Sequence, residues 1–490
     1  EGQRAQIARV RSFSYGTGSD YPKGVLGHAD IIRMVPQLLT DRPLLRTILA
    51  QKYPFVFVDE SQDTAEGVVQ ALKAVEQHMH ATFCLGFFGD PMQRIYLTGI
   101  GPIAKEPNWT EIKKPENFRC PSTVLAVANA VRKDGDGLEQ TRGRMVEIDG
   151  QRQVIPGTAR IFILPADDLR IERLEQVRRW IAERNNDAAW LAGAVDKSVK
   201  VLVIVHRMAA TRLGFGDLYS AFNDKAPSAF KDGFLDASAW PLRPFISFAL
   251  PVADAVRDGR DFEMMQLLRQ HCPLLGKEKL QGVNVAARLS AVARHVDELA
   301  KQLADGSAAS VRDVLAHLHA TDLCALDERL VSYLDLAAPA DDENDEEELT
   351  REIESMEAFL LCPAVQLWGY RAYVNEESPY STQQGIKGAE FDRVLTVLDD
   401  DEGTHTQFSY DKYFGTTSLS DHDLANIREG KETAVDRTRR LFYVCCSRAL
   451  QDLAVVFFAR DVAAADRQVR ASGFFPANAI HSLADVEGQA

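Results

Sequence analysis

Apolar and polar positions along the chain follow two different periods. From Ala29 to Gln51 the apolar residues recur three and four apart, which predicts helices. The run "KYPFVFVDESQDT", Lys52 to Thr64, is too short for a helix and reads as a buried strand ending in acids. A helix over Gly67–His78 and a second apolar strand, "TFCLGFFGD", ending at Asp90, follow. Strand, helix, strand with acids at the strand ends predicts an α/β unit with its chemistry at the carboxyl edge. A second unit is read from the strand "ARIFIL", a helix over Ile171–Arg184, and the strand "KVLVIVHR", Lys200 to Arg207. From Gly216 to Leu361 the period is helical throughout. Strands then return in "FDRVLTVLDD" and "LAVVFFAR".

Composition narrows this picture only slightly. The 490 residues are 46% hydrophobic and 26% charged, an ordinary globular balance with material for several cores. No apolar run reaches the length of a membrane span and no export signal leads the sequence, so a cytoplasmic protein is expected. Seven scattered cysteines lack metal-ligand spacing and are expected as buried thiols in a reducing compartment. The net charge of −15 excludes a generally basic nucleic-acid coat, although a channel can still be locally basic. "DDENDEEE", Asp341 to Glu348, places seven acids in eight positions and is expected as a solvated loop or linker.

Four stretches carry candidate chemistry. In "FVFVDESQDT" an aspartate at a strand end can hold Mg²⁺, and the glutamate beside it can polarise a water attacking a γ-phosphate. In "FFGDPMQRIY" a Gly-Asp turn precedes Gln93, whose amide can reach a phosphate, and Tyr96, whose ring can stack on a base. Arg119 in "ENFRCPS" and Arg448 in "RTRRLFYVCCSRA" could neutralise charge in phosphoryl transfer. In "STQQGIKGAEFDRVLTV" a Gly/Lys turn can bind backbone phosphates through its amides and Lys387. Taken singly, each could equally be a plain strand end, core ring, surface arginine or loop.

Their order resembles the UvrD/Rep-like superfamily 1 DNA helicases from motif II onward. "VDESQDT" is similar to motif II, "GDPMQRIY" to motif III, "NFRCPS" to motif IV, "TQQGIKGAEFD" to motif V and "RRLFYVCCSRA" to motif VI. The resemblance implies two RecA-like parallel-sheet domains with a mostly helical insertion in the second. Residues 1–115 would be part of the first domain, 116–215 and 362–490 the second, and 216–361 the insertion with its acidic linker. It also implies ATP and Mg²⁺ as cofactors. Asp59 would hold the metal, Glu60 would be the general base, and Gln93 would sense the γ-phosphate, with Arg119 and Arg448 as arginine fingers. Glu390 and Gly388 would lie at the nucleotide, and Tyr96, Gln384 and Lys387 along the DNA. Single-stranded or partly duplex DNA and a partner nuclease are the implied partners, with no membrane. The sequence departs from the family in "LTGIG" after Tyr96, in Gln384 at a usual histidine, and in "CCSRA". The "QGIKGAEFD" variant also resembles helicase-like subunits of Gabija-type anti-phage systems.

One expected part is missing from these residues. A phosphate loop would read G-x-x-x-x-G-K-[S/T], but the two Gly-Lys pairs, Gly276-Lys277 and Gly430-Lys431, are both followed by glutamate. Two readings stand. Either the chain is the carboxyl-terminal part of an ATP-dependent translocase in DNA repair or phage defence, inactive alone, or it is a non-hydrolysing scaffold that binds nucleic acid or a partner. Retention of Asp59, Glu60, Gln93, Arg119 and Arg448 favours the first.

Overall fold

The computed structural model describes residues 7, 10–16, 19, 21–96, 98–191, 199–276, 278–335, 346–403 and 407–488. Helices α1 (His28–Asp41) and α2 (Pro43–Lys52) occupy the first helical stretch. Pro43 opens α2 at a position where its missing N–H costs nothing. Strand β1 (Phe55–Val58), helix α3 (Glu66–Met79) and strand β2 (Cys84–Phe87) complete an amino-terminal unit. The strands pair in parallel from Phe55 with Cys84 to Val58 with Phe87. Leu39, Ala50, Ala71, Val75 and Phe83 form its small core.

The reading of β1 as a buried strand is corrected here. Phe55 and Phe57 are 68% and 63% exposed. Residues alternate across a strand, and the helices of this unit cover the face of Val56, leaving the phenylalanine face open.

Helix α4 (Ser122–Lys133) leads into the main sheet. Its elements are β3 (Thr158–Pro165), α5 (Arg170–Asn185), β4 (Val199–Val203), β5 (Tyr380–Thr382), β6 (Phe391–Leu398), α6 (Ala434–Cys446), β7 (Ala449–Ala459) and β8 (Ile480–Ser482). The strands lie in the order β5-β4-β6-β7-β3-β8, every neighbour parallel. The central strands are nearly continuous apolar runs because helices bury both faces of a parallel sheet. Thus Val394, Leu395, Val397 and Leu398 of β6 are fully buried, as are Val455 and Val456 of β7. Met92 and Ile95, just beyond β2, belong to this same core. The turn that follows β2 is therefore anchored in the six-stranded body.

Between residues 206 and 374 the described residues form helices and no strand. A second core fills this region, with Phe222, Phe245, Phe248 and Phe359 fully buried and the Tyr370 hydroxyl donating to the Phe234 carbonyl at 2.6 Å. Of the acidic block, 341–345 lie outside the described residues. Glu346 to Glu348 are not linker but open the helix Glu346–Leu361. Six cysteines are buried free thiols, but Cys84 at the start of β2 is exposed, contrary to expectation. Among the described residues no helix is long and apolar enough to cross a membrane.

Candidate functional site

The site begins where β1 stops. Glu60 takes a left-handed conformation, φ 47° and ψ 41°, which turns the chain sharply into a short 3-10 turn over Ser61–Asp63. Such a conformation costs a non-glycine residue energy and persists only when neighbours hold it. Here the hold is visible. The Gln62 amide donates to Glu60 Oε2 at 2.6 Å, its carbonyl oxygen accepts from the Asp90 N–H at 3.1 Å, and the Ser61 N–H donates to the Phe88 carbonyl at 2.9 Å. Gly89 permits this approach, since a Cβ there would run into the Gln62 side chain. Asp59 is exposed, and its Oδ1 accepts from the adjacent Glu60 N–H at 2.9 Å.

Three residues beyond β2, Asp90 accepts from the Met92 N–H at 3.0 Å and from the Gln93 side-chain amide at 3.2 Å. From the six-stranded body Arg448, 1% exposed, donates to Gln93 Oε1 at 3.0 Å and to the Val444 carbonyl at 3.0 Å. Burial, then the like charge of Arg119, push its guanidinium below the usual range. Arg119 donates to Glu390 Oε2 at 2.9 Å and to the Ser447 carbonyl at 3.4 Å. Lys387 places its ammonium 3.0 Å from Glu60 Oε2 and pairs with Asp63. The turn carrying it closes at Gly388, whose φ of +81° suits glycine alone.

Two contacts thus join the units, Arg448 to Gln93 and Lys387 to Glu60, and Arg119 pairs with Glu390 and reaches the Ser447 carbonyl next to Arg448. Tyr96 stands three residues beyond Gln93, 45% exposed. Gln384 is half-buried in the turn before Lys387, whereas the adjacent Gln383 is fully buried and holds the Val397 carbonyl and Tyr410. The carboxyl-edge expectation holds for β1 and β2 only. From the six-stranded body Glu390 and Arg448 come from the opposite edge, preceding β6 and β7, while Gln384 and Lys387 lie on the connection that leaves β5.

Among the described residues no three metal-ligating side chains gather. The Asp59 carboxylate is nevertheless exposed, and Mg²⁺ ordinarily binds through one or two carboxylates plus waters and phosphates. The donor set fits that ion.

Sequence reasoning assigned no role to Gln62 or Asp63, although both lie inside the quoted acidic stretch. It also missed Arg132, which no local pattern marks. Residues 17–97 match the family described as UvrD/REP helicase N-terminal domain. The chain is also 24% identical over 472 residues to the Gabija protein GajB of Bacillus cereus (strain HuB5-5), covering 88% of this chain. It spans 62% of that relative's length. The first match is a similarity to the UvrD-like helicases confined to the amino-terminal unit and the turn after β2.

Proposed function

We propose that these residues form the motif II to motif VI part of an ATP-dependent DNA translocase or helicase. The amino-terminal unit and the six-stranded body would be parts of two RecA-like domains, with ATP in the cleft between them. The carrying observation is the contact of Arg448 with Gln93, which joins the six-stranded body to the turn after β2, while Lys387 of the same body stands 3.0 Å from Glu60. Glu60, held by Gln62 and Lys387, takes the proton of the attacking water. Arg119 and Arg448 neutralise the charge spreading over the γ-phosphate oxygens, and Gln93 couples its presence to the turn that carries Tyr96. Asp59 would hold Mg²⁺, which would supply screening of the phosphate charge. Closure and reopening of the cleft would then move the two units along a single strand of DNA.

The Gabija relative favours phage defence over repair, with a nuclease as the partner to seek. The 490 residues contain no phosphate loop, and such a loop supplies the amides and lysine that cradle the β- and γ-phosphates. That observation keeps a non-hydrolysing scaffold as the second reading. One measurement separates the two: DNA-stimulated phosphate release by the gene product containing these residues, wild type against Glu60→Gln. Turnover that disappears in the variant supports the enzyme. No turnover in the wild type, with DNA binding intact, supports the scaffold.

A further inference from the structure

Arg132 lies in the last turn of α4, only 2% exposed. Every N–H of its guanidinium has a partner. The two terminal nitrogens grip Asp90 in a fork, at 2.7 Å to Oδ2 and 3.0 Å to Oδ1. Nη1 also donates to the Tyr443 hydroxyl at 2.9 Å, while Nε donates to Asp136 Oδ1 at 3.1 Å and Nη2 to its other oxygen. Tyr443 in turn donates to Asp90 Oδ2 at 3.2 Å and accepts from the Gln140 amide at 3.0 Å. Five donors in a planar fork are what arginine alone offers, so lysine could keep the charge but not the pattern.

The placement gives this cluster its meaning. Asp90 lies three residues beyond β2 and opens the turn Pro91–Gln93, whereas Arg132, Asp136 and Tyr443 belong to the six-stranded body. The Asp90 carboxylate holds the Gln93 amide, Gln93 meets Arg448, and Tyr443 lies on α6 five residues before Arg448. We propose that Arg132 is a positioning residue that ties Asp90 to the six-stranded body and thereby sets where Gln93 and Arg448 stand over the cleft. The role of those two groups rests on the helicase reading; the tie itself does not. A side chain that merely packed α4 would need neither the two-pronged grip on Asp90 nor the Tyr443 hydroxyl between them.

Amide hydrogen exchange on the full chain tests the tie, comparing wild type with Arg132→Met, Arg132→Lys and Tyr443→Phe. Arg132→Met should speed exchange over residues 90–96 and 443–448 by at least about tenfold, because the half-buried Asp90 carboxylate loses its two-pronged partner. Arg132→Lys should restore part of the protection. Tyr443→Phe, which keeps the packing, should loosen the same two segments to a smaller degree. Strands β6 and β7 should be unchanged throughout. Unchanged exchange over 90–96 in all variants would overturn the proposal, as would uniform loosening of β6 and β7 in Arg132→Lys. If Arg132→Met does not fold, the other two variants decide. In the gene product containing these residues, Arg132→Lys should lower kcat for ATP and leave KM near the wild-type value. Absence of turnover in the wild type would remove the helicase reading, and the exchange pattern would still judge the tie.

Discussion

At the scale of single residues, the cleft is held by groups that each serve two neighbours. Gln62 joins Glu60 to Asp90, Lys387 joins Glu60 to Asp63, and Arg119 joins Glu390 to the Ser447 carbonyl. Such groups act as a set, and removing one leaves its partners misplaced. Arg448→Ala should therefore lower DNA-stimulated turnover of the gene product on the order of 10³-fold, as loss of an arginine finger does. Single-stranded DNA binding without nucleotide should barely change. Steady-state phosphate release and an oligonucleotide titration on the same variant check both halves, and near-normal turnover would remove Arg448 from the reaction. Most of these residues were legible because they sit inside short ordered motifs. Arg132 was not, since its partner Asp90 lies 42 positions away and only the fold brings them together.

At the scale of elements, the strands β3, β6 and β7 were legible from their long apolar runs. The three-residue strands β5 and β8 were not, because so short a stretch carries no period of its own. The open face of β1 was missed for a different reason. An apolar run shows that a strand could be covered, not that anything in the described fold covers it. One small element gives a test of pH dependence. In the helix Asp421–Arg428, Asp423 accepts from Lys412 at 2.6 Å and from the Ser420 hydroxyl at 2.6 Å. Lys412 first, then Ser420, hold its carboxyl well below the usual value of 3.8. A group depressed in the folded state adds stability above its unfolded value and loses it as pH falls through the folded one. At pH 7, Asp423→Asn should cost about 1.5–3 kcal/mol, the range for hydrogen bonds to a charged group. The gap should narrow as pH drops below about 4. Urea unfolding of both proteins at pH 7 and pH 3 measures it, and an equal gap at the two values would contradict the ion-pair account.

At the scale of the whole molecule, an acidic chain should grip DNA only along a restricted path. With roughly three to five phosphates neutralised, the log–log slope of single-strand affinity against salt should be about −2 to −3.5. Tyr96→Ala should cost about 1 kcal/mol, the lower end for a stacked base, because "LTGIG" supplies little beside it. A flat salt response with unchanged affinity in Tyr96→Ala would remove DNA from the ligands. The bare phenylalanine face of β1 bears directly on that titration. Phe55, Phe57 and Phe88, the last 56% exposed, make a sticky patch on a two-stranded sheet, and mutual repulsion at a net charge of −15 keeps copies apart. Salt weakens that repulsion as surely as it weakens DNA binding. Light scattering should therefore rise with ionic strength, and Phe57→Lys should suppress the rise. In the bench vial, added salt would free the oligonucleotide and clump the protein together, so the loss of signal has to be followed from the nucleic acid's side, at nanomolar chain.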